Sequence, residues 1–300
     1  MKSLTWYADF IHPGNNREIF SDDLTVEHVR NYEIYLMEEK GLSPSTIHLY
    51  LSSLSSLCKY MIKQGLLKNN PVLGIRKPKL DKRLPYFFHK QALDEYFKSN
   101  HYYASEESLY ISGNHKENKF LYNRRLEHLV IATLYCTGIR RGELISLKVE
   151  DFDMQRHVIR ILGKGNKMRE IPIISSLCKE ISLYLQAVKL MAGVEQNAQS
   201  PLFVTFSGGK IYPMLVDRLI KQGLGKEENI TGQKSPHVLR HTIATELLND
   251  GTSLYSIKEF LGHSSLAATQ VYTHSSISKL KKVYETAHPR ANKNGGKNGD

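Results

Sequence analysis

A chain of 300 residues with 41% hydrophobic content can bury a sizeable core in one large domain or two smaller ones. Its 41 Lys and Arg against 30 Asp and Glu leave a net charge of +11 and a pI near 9.3, which favours a polyanionic partner because neutralised phosphates release condensed counterions. No apolar run approaches the roughly 18 residues of a membrane span, and the opening Met1-Lys2-Ser3-Leu4-Thr5-Trp6-Tyr7 lacks the apolar stretch of a signal peptide. The expected setting is therefore the cytoplasm, with no membrane partner.

Residues 1–75 read as a small helical unit. Thr25 is placed to cap a helix reaching Lys40, with Val26, Val29, Tyr32 and Leu36 on one stripe and Gly41 as its stop. Ser43-Pro44 supplies an N-cap and a first-turn proline for a second helix. There Ile47, Tyr50, Leu51, Leu54, Leu57, Cys58, Met61 and Ile62 recur at helical spacing until Gly65. From Ser45 onward the opposite face carries His48, Ser52, Ser53, Ser55, Ser56, Lys59 and Lys63. Small hydroxyls beside lysines suit close approach to a sugar-phosphate backbone, but a merely solvated helix face has the same composition. The residues by themselves leave the two readings level. Next, Arg76-Lys77-Pro78-Lys79-Leu80-Asp81-Lys82-Arg83-Leu84-Pro85 combines two prolines and five cations with little to bury. That predicts an exposed linker over 76–85, with Lys79, Lys82 and Arg83 as candidate DNA contacts.

Residues 86–290 read as a second domain, mainly helical with a small sheet. A polar, Tyr-rich stretch at 99–123 is expected to be a surface element or a partly helical excursion. Residues 126–135 form an apolar helix, and Gly138 breaks it just before a helix carrying Arg140. Two β-rich runs, 157–162 and 168–173, flank Gly163-Lys164-Gly165-Asn166-Lys167 and predict a hairpin. Helical periodicity returns at 176–192, at 236–250 behind Ser235-Pro236, and in short helices at 253–261 and 266–272. Without βαβ alternation or a Gly-rich phosphate loop, nucleotide binding is not expected. Cys58, Cys136 and Cys178 lie in apolar helical patterns and are expected to be buried thiols in a reducing compartment. The tail 291–300 holds nothing that could form a core and is expected to be disordered.

Six residues of the C-terminal half, Arg140, Lys164, His237, Arg240, His263 and Tyr272, together suit the cleavage of a phosphodiester without metal or other cofactor. Two guanidiniums can clamp the non-bridging oxygens of one phosphate. A lysine and two histidines can hold or move protons, and a tyrosine can take the phosphoryl group covalently. Glu143, three residues after Arg140, reads as an anchor for a guanidinium rather than a base. Arg141 is expected to face elsewhere. Lys164 and Lys167 are chemically equivalent on the hairpin turn, and the residues alone do not choose between them. His237 and His241 stand four apart, as zinc-ligand pairs do, but Val238 occupies the position where a zinc peptidase has its glutamate, so no metal is expected.

The contexts are Thr137-Gly138-Ile139-Arg140-Arg141-Gly142-Glu143-Leu144, the hairpin segment above, Pro236-His237-Val238-Leu239-Arg240-His241, Leu261-Gly262-His263-Ser264 and Gln270-Val271-Tyr272-Thr273-His274. In order and spacing this set resembles the tyrosine recombinase (phage integrase) family, most closely its Xer-type members, over roughly residues 1–290. The resemblance implies an N-terminal helical core-binding domain that clamps DNA and a C-terminal, mostly helical catalytic domain with a small antiparallel β-sheet. It implies Tyr272 as nucleophile, Lys164 as general acid, His237 as the group relieving the tyrosine of its proton, and His263 as support for the transition state. It further implies double-stranded DNA with paired sites as partner, and four protomers acting through a 3′-phosphotyrosyl intermediate and a Holliday junction. The tetramer is either homomeric or shared with a second recombinase, in the nucleoid-associated cytoplasm. Resolution of chromosome or plasmid dimers is the expected errand. Integration, excision or inversion of a mobile element uses the same chemistry. A type IB-like topoisomerase and a binding-only protein of this fold are more distant alternatives. The segment after Tyr272 has an apolar stripe (Ile277, Leu280, Val283, Tyr284) suited to docking on a neighbouring protomer or packing within its own chain.

Overall fold

A computed structural model describes residues 2–14, 18–80, 86–109, 113–163 and 168–262. The chain divides into two compact units, Met1–Leu84 and Pro85–Asp300.

The first unit is built on helices α1 (Lys2–Ile11), α2 (Val26–Glu38) and α3 (Pro44–Lys63). Local chemistry sets their ends. The Thr25 hydroxyl accepts the His28 N–H at 3.1 Å, the Ser43 hydroxyl accepts the Thr46 N–H, and Pro44 occupies the first turn, where no amide donor is needed. Val29, Tyr32 and Leu36 of α2 are buried against Ile47, Leu51, Leu54, Cys58 and Met61 of α3. Val26 belongs to the expected stripe but is exposed, as Ile62 is at the end of α3, because both stripes rotate away from the core at the helix termini. Tyr7 of α1 closes the core and donates its hydroxyl to the Asp23 carbonyl at 2.7 Å.

In the expected exposed linker, Arg76 and Leu80 are exposed, but two residues between them depart from the expectation. Lys77 and Pro78 are half-buried, and the Pro78 carbonyl pairs with His48 Nε2 of α3 at 2.8 Å, so this stretch is fastened to the first unit. A prolyl carbonyl still accepts a hydrogen bond, which a composition argument overlooks. Lys79 is exposed, and Lys82 and Arg83 lie outside the described residues.

The second unit contains α4 (Lys90–Ser99), α5 (His115–Thr137), α6 (Arg141–Ser146), α7 (Ser175–Ala192), α8 (Pro213–Leu224), α9 (Pro236–Asn249) and α10 (Leu254–Leu261). Strands β1 (Phe152–Asp153), β2 (Val158–Leu162) and β3 (Met168–Pro172) form an antiparallel sheet in sequence order. The fold is thus mainly helical with a small antiparallel sheet, as expected. Helix α5 begins eleven residues before the expected start. Every residue from Arg125 to Thr137 is buried, and α7, α8 and α9 pack around this stretch as around an axle. Short 3₁₀ turns at His101–Ala104 and Glu107–Leu109 occupy the Tyr-rich stretch ahead of it. Strands β2 and β3 pair from Val158↔Pro172 to Leu162↔Met168, the hairpin that the β-rich runs predict. All three cysteines are buried. Among the described residues no helix is long and apolar enough to cross a membrane.

Candidate active site

The site grows from the way α5 ends. Gly138 adopts a left-handed conformation (φ +60°) and returns its N–H to the Leu134 carbonyl at 2.9 Å, a glycine C-cap. A side chain there would be blocked as well as strained, since a Cβ would lie 2.6 Å from Leu261 Cδ2. The chain then turns through Arg140, which is extended (φ −74°, ψ 151°) and forms the N-cap of α6. The expectation that a helix carries Arg140 is corrected here: α6 starts at Arg141, because Arg140 must leave helical geometry to cap it.

Glu143, at the third position of α6, organises this corner. Its carboxylate reaches back to the Arg140 backbone N–H at 2.9 Å and accepts Arg140 Nη1 at 3.0 Å. It also accepts Nη1 and Nη2 of Arg169, on β3, at 3.1 and 2.9 Å. Burial alone would raise the Glu143 carboxyl. The hydrogen bonds from the Arg169 side chain and the Arg140 backbone, the charge of Arg169 and the Arg140 side-chain bond outweigh it and hold the group below the ordinary carboxylate value. Arg141 turns away to Asp217 of α8 at 2.5 Å.

Arg240 lies on α9, where Ser235 caps the first turn by accepting the Val238 N–H. Its guanidinium is buried and donates to the carbonyls of Gly138 and, at 2.6 Å, of Leu261. Arg140 Nη2 donates to the next carbonyl, Gly262, at 3.2 Å. The two candidate clamps therefore hold consecutive carbonyls where α10 ends, and Gly262 is left-handed (φ +65°) at that point. Burial and the neighbouring Arg140 push Arg240 down to about 10, with Glu143 opposing and Arg169 adding to the depression. It remains a cation at neutral pH. His237 is exposed one turn earlier on the same helix.

Arg140, Gly142, Glu143, Ser146, Leu162, Gly163 and Gly262 line a cleft of about 470 Å³. Leu162 and Gly163 lead into the hairpin turn, and Gly262 immediately precedes His263. The structure thus brings together Arg140, Arg240 and Glu143 with the approaches to two further candidates. Lys164, Lys167, His263 and Tyr272 themselves lie outside the described residues, as do the expected helices at 266–272 and 276–286. Ser45, Ser52, Lys59, Lys63 and Lys79 are exposed in the first unit.

Sequence reasoning missed Arg169. The available signal was its place two residues before Ile171, a charge on the buried face of a strand that otherwise turns apolar side chains inward.

Residues 115–279 match the Phage integrase family, and residues 2–78 match the Phage integrase SAM-like domain. The chain is 38% identical over 296 residues to the tyrosine recombinase XerC of Bacillus licheniformis, covering 98% of this chain and 90% of that one. Against the XerC of Bacillus pumilus it is 38% identical over 262 residues, covering 86% and 80%. In fold it is similar to the XerH site-specific recombinase bound to a palindromic difH substrate, with a TM-score of 0.63 at 21% identity over 90% of this chain and 74% of that one. A helical unit followed by an arginine-lined cleft agrees with what these matches say of the whole length: the chain belongs to the phage integrase family, the tyrosine recombinases that break and rejoin DNA strands, and is Xer-type.

Proposed function

We propose that this recombinase cuts and rejoins paired DNA sites through Tyr272, with dimer resolution of the Xer kind as its errand. The observation that carries the reading is the anchoring of Arg140 and Arg240 to the consecutive carbonyls of Gly262 and Leu261. Two cations fixed on one short backbone segment are suited to a single phosphate, and this segment runs directly into His263. In the reaction Tyr272 gives up its phenolic proton towards His237, and its oxygen attacks phosphorus. Arg140, Arg240 and His263 hold the charge that accumulates on the non-bridging oxygens. As the bond from phosphorus to the 5′ oxygen breaks, Lys164 protonates that oxygen, leaving a 5′ hydroxyl and a 3′-phosphotyrosine. The partner strand's 5′ hydroxyl then reverses the step, so rejoining consumes no nucleotide. Lys167, on the same turn, is left to contact the backbone.

In the same reading the first unit grips the duplex with Ser45, Ser52, Lys59 and Lys63, assisted by Lys79, Lys82 and Arg83, and four protomers assemble on two sites in the nucleoid. Likeness over most of the length to recombinases named XerC supports an Xer-type errand over integration, excision or inversion.

Covalent capture tests it. Wild type and Tyr272→Phe are incubated with sheared genomic DNA, SDS-resistant adducts are sequenced to define the site, and that site is rebuilt as a nicked suicide duplex. Wild type is expected to form the adduct in EDTA, and Tyr272→Phe to form none. An adduct of undiminished yield with Tyr272→Phe would refute the assignment.

A further inference from the structure

The function just described uses Arg140, but nothing in it accounts for Arg169. This residue is a cation only 8% exposed, on the inward face of β3. Both of its Nη atoms fork onto both oxygens of Glu143, the carboxylate that holds the backbone and guanidinium of Arg140. On its other side the guanidinium packs on Gly262: a Cβ there would lie 2.8 Å from Arg169 Cζ. The Gly262 carbonyl is in turn the acceptor of Arg140 Nη2. Arg169 therefore touches both groups that orient Arg140, its carboxylate and its carbonyl, while being too buried to meet DNA. It also stands two residues beyond Lys167, on the strand leading out of the hairpin turn.

Stability alone does not account for the residue. A buried ion pair contributes little over well-packed apolar residues of the same volume, and Arg169 Nε has no hydrogen-bond partner among the described residues. What the fork supplies is direction. With two parallel bonds from a planar donor, the carboxylate plane cannot rotate, and the Arg140 guanidinium bonded to it cannot swing.

We infer that Arg169 is a positioning residue for DNA cleavage, locking Glu143 and Gly262 so that Arg140 presents its outward donors to the scissile phosphate in one orientation. The inference rests on the reading of Arg140 as a phosphate clamp.

The test uses the full-length protein and the nicked suicide duplex obtained from the adduct sequences. Arg169→Lys, Arg169→Met, Arg140→Ala and the double variants are compared in adduct formation at saturating DNA, in DNA affinity by competition, and in melting temperature. If loosening the clamp misplaces it by an ångström, Arg169→Lys slows single-turnover cleavage by about 10²-fold. DNA affinity should stay within about twofold, because the loss falls on the transition state alone. In the Arg140→Ala background, changing Arg169 should slow cleavage no further, since two residues acting through one contact are not additive. Should Arg169→Met fail to fold, Arg169→Lys, which keeps the charge, carries the comparison. Wild-type cleavage by a folded Arg169→Lys beside a strongly slowed Arg140→Ala overturns the inference and leaves the clamp intact. Additive slowing in the double variant overturns it too, showing a merely structural role. Wild-type cleavage by Arg140→Ala would instead remove the clamp on which the inference stands.

Discussion

Replacing Glu246 by glutamine should make the second unit more stable, by a margin that grows as pH rises from about 4.5 to about 7. Glu246 lies six residues after Arg240 on α9 and is 7% exposed. Its Oε2 accepts the hydroxyl of Tyr135, on α5, at 2.7 Å, while Oε1 has no hydrogen-bond partner among the described residues. Burial raises the carboxyl most. The Tyr135 bond and Lys90 oppose the rise, Asp94 and Asp250 add to it, and the result is about 7 against an ordinary 4.5. The folded protein therefore keeps this proton over a range in which the unfolded chain has released it. The stabilisation is fully present below 4.5 and is lost as pH rises through about 7. At about 1.4 kcal/mol per pH unit, the gap corresponds to about 3.5 kcal/mol. Glutamine keeps the shape and the acceptor for Tyr135 and has no proton to lose. Thermal melts followed by circular dichroism between pH 5 and 8 should show Glu246→Gln close to wild type at the acid end. At pH 8 it should lead by about 7–14 °C, taking 2–4 °C per kcal/mol for a domain of this size. A difference that does not change with pH, or a less stable glutamine variant at pH 8, would refute the reasoning.

Two further substitutions follow from the same corner of the fold. Glu143→Gln leaves Arg169 buried without its counter-charge and should cost about 3 kcal/mol, the low end for a broken buried pair, because the Arg140 side of the network is partly open to solvent. Since the native carboxyl is held below 4.5, the stability it contributes is present above that value and lost as pH falls through the depressed one. The melting deficit of Glu143→Gln should accordingly shrink in acid. Gly138→Ala forces a left-handed alanine, costing about 1–2 kcal/mol, and drives its Cβ against Leu261 and Ile243. Because the Gly138 carbonyl holds Arg240, both the melting temperature and the yield of covalent adduct should fall.

How much of this was visible beforehand depends on the distance over which each interaction acts. The caps at Thr25, Ser43 and Ser235 were legible because cap and helix lie within three residues of each other. The hairpin was legible because its two runs are adjacent and flank a glycine-rich turn. Helix α5 was legible only in its apolar half. Residues 115–119 are polar throughout, and of 120–124 only Leu121 and Tyr122 reach the core, too few to mark a stripe; the segment is helical because it continues a helix whose other end is buried on every side. Helices α1, α4 and α8 drew no expectation, since each buries a short face on partners far away in the chain. Tyr96 of α4, for instance, stacks on His128 of α5, 6.0 Å between ring centroids.

The same contrast separates Glu143 from Arg169. A glutamate three residues after an arginine declares its partner locally, and the capping geometry of Arg140 delivers the contact. Arg169 is 26 residues from Glu143, and Gly262 is farther still, so neither motif predicts that strand, cap and helix end converge. Their convergence follows from exclusion. A buried arginine must find acceptors, a left-handed helix end favours glycine, and the space left by the missing Cβ is where the guanidinium fits. Each requirement is ordinary, but together they permit one arrangement. On the proposed reading of Arg140 as a phosphate clamp, that arrangement sets its orientation before any DNA arrives, the condition under which a clamp stabilises a transition state rather than merely binding its substrate.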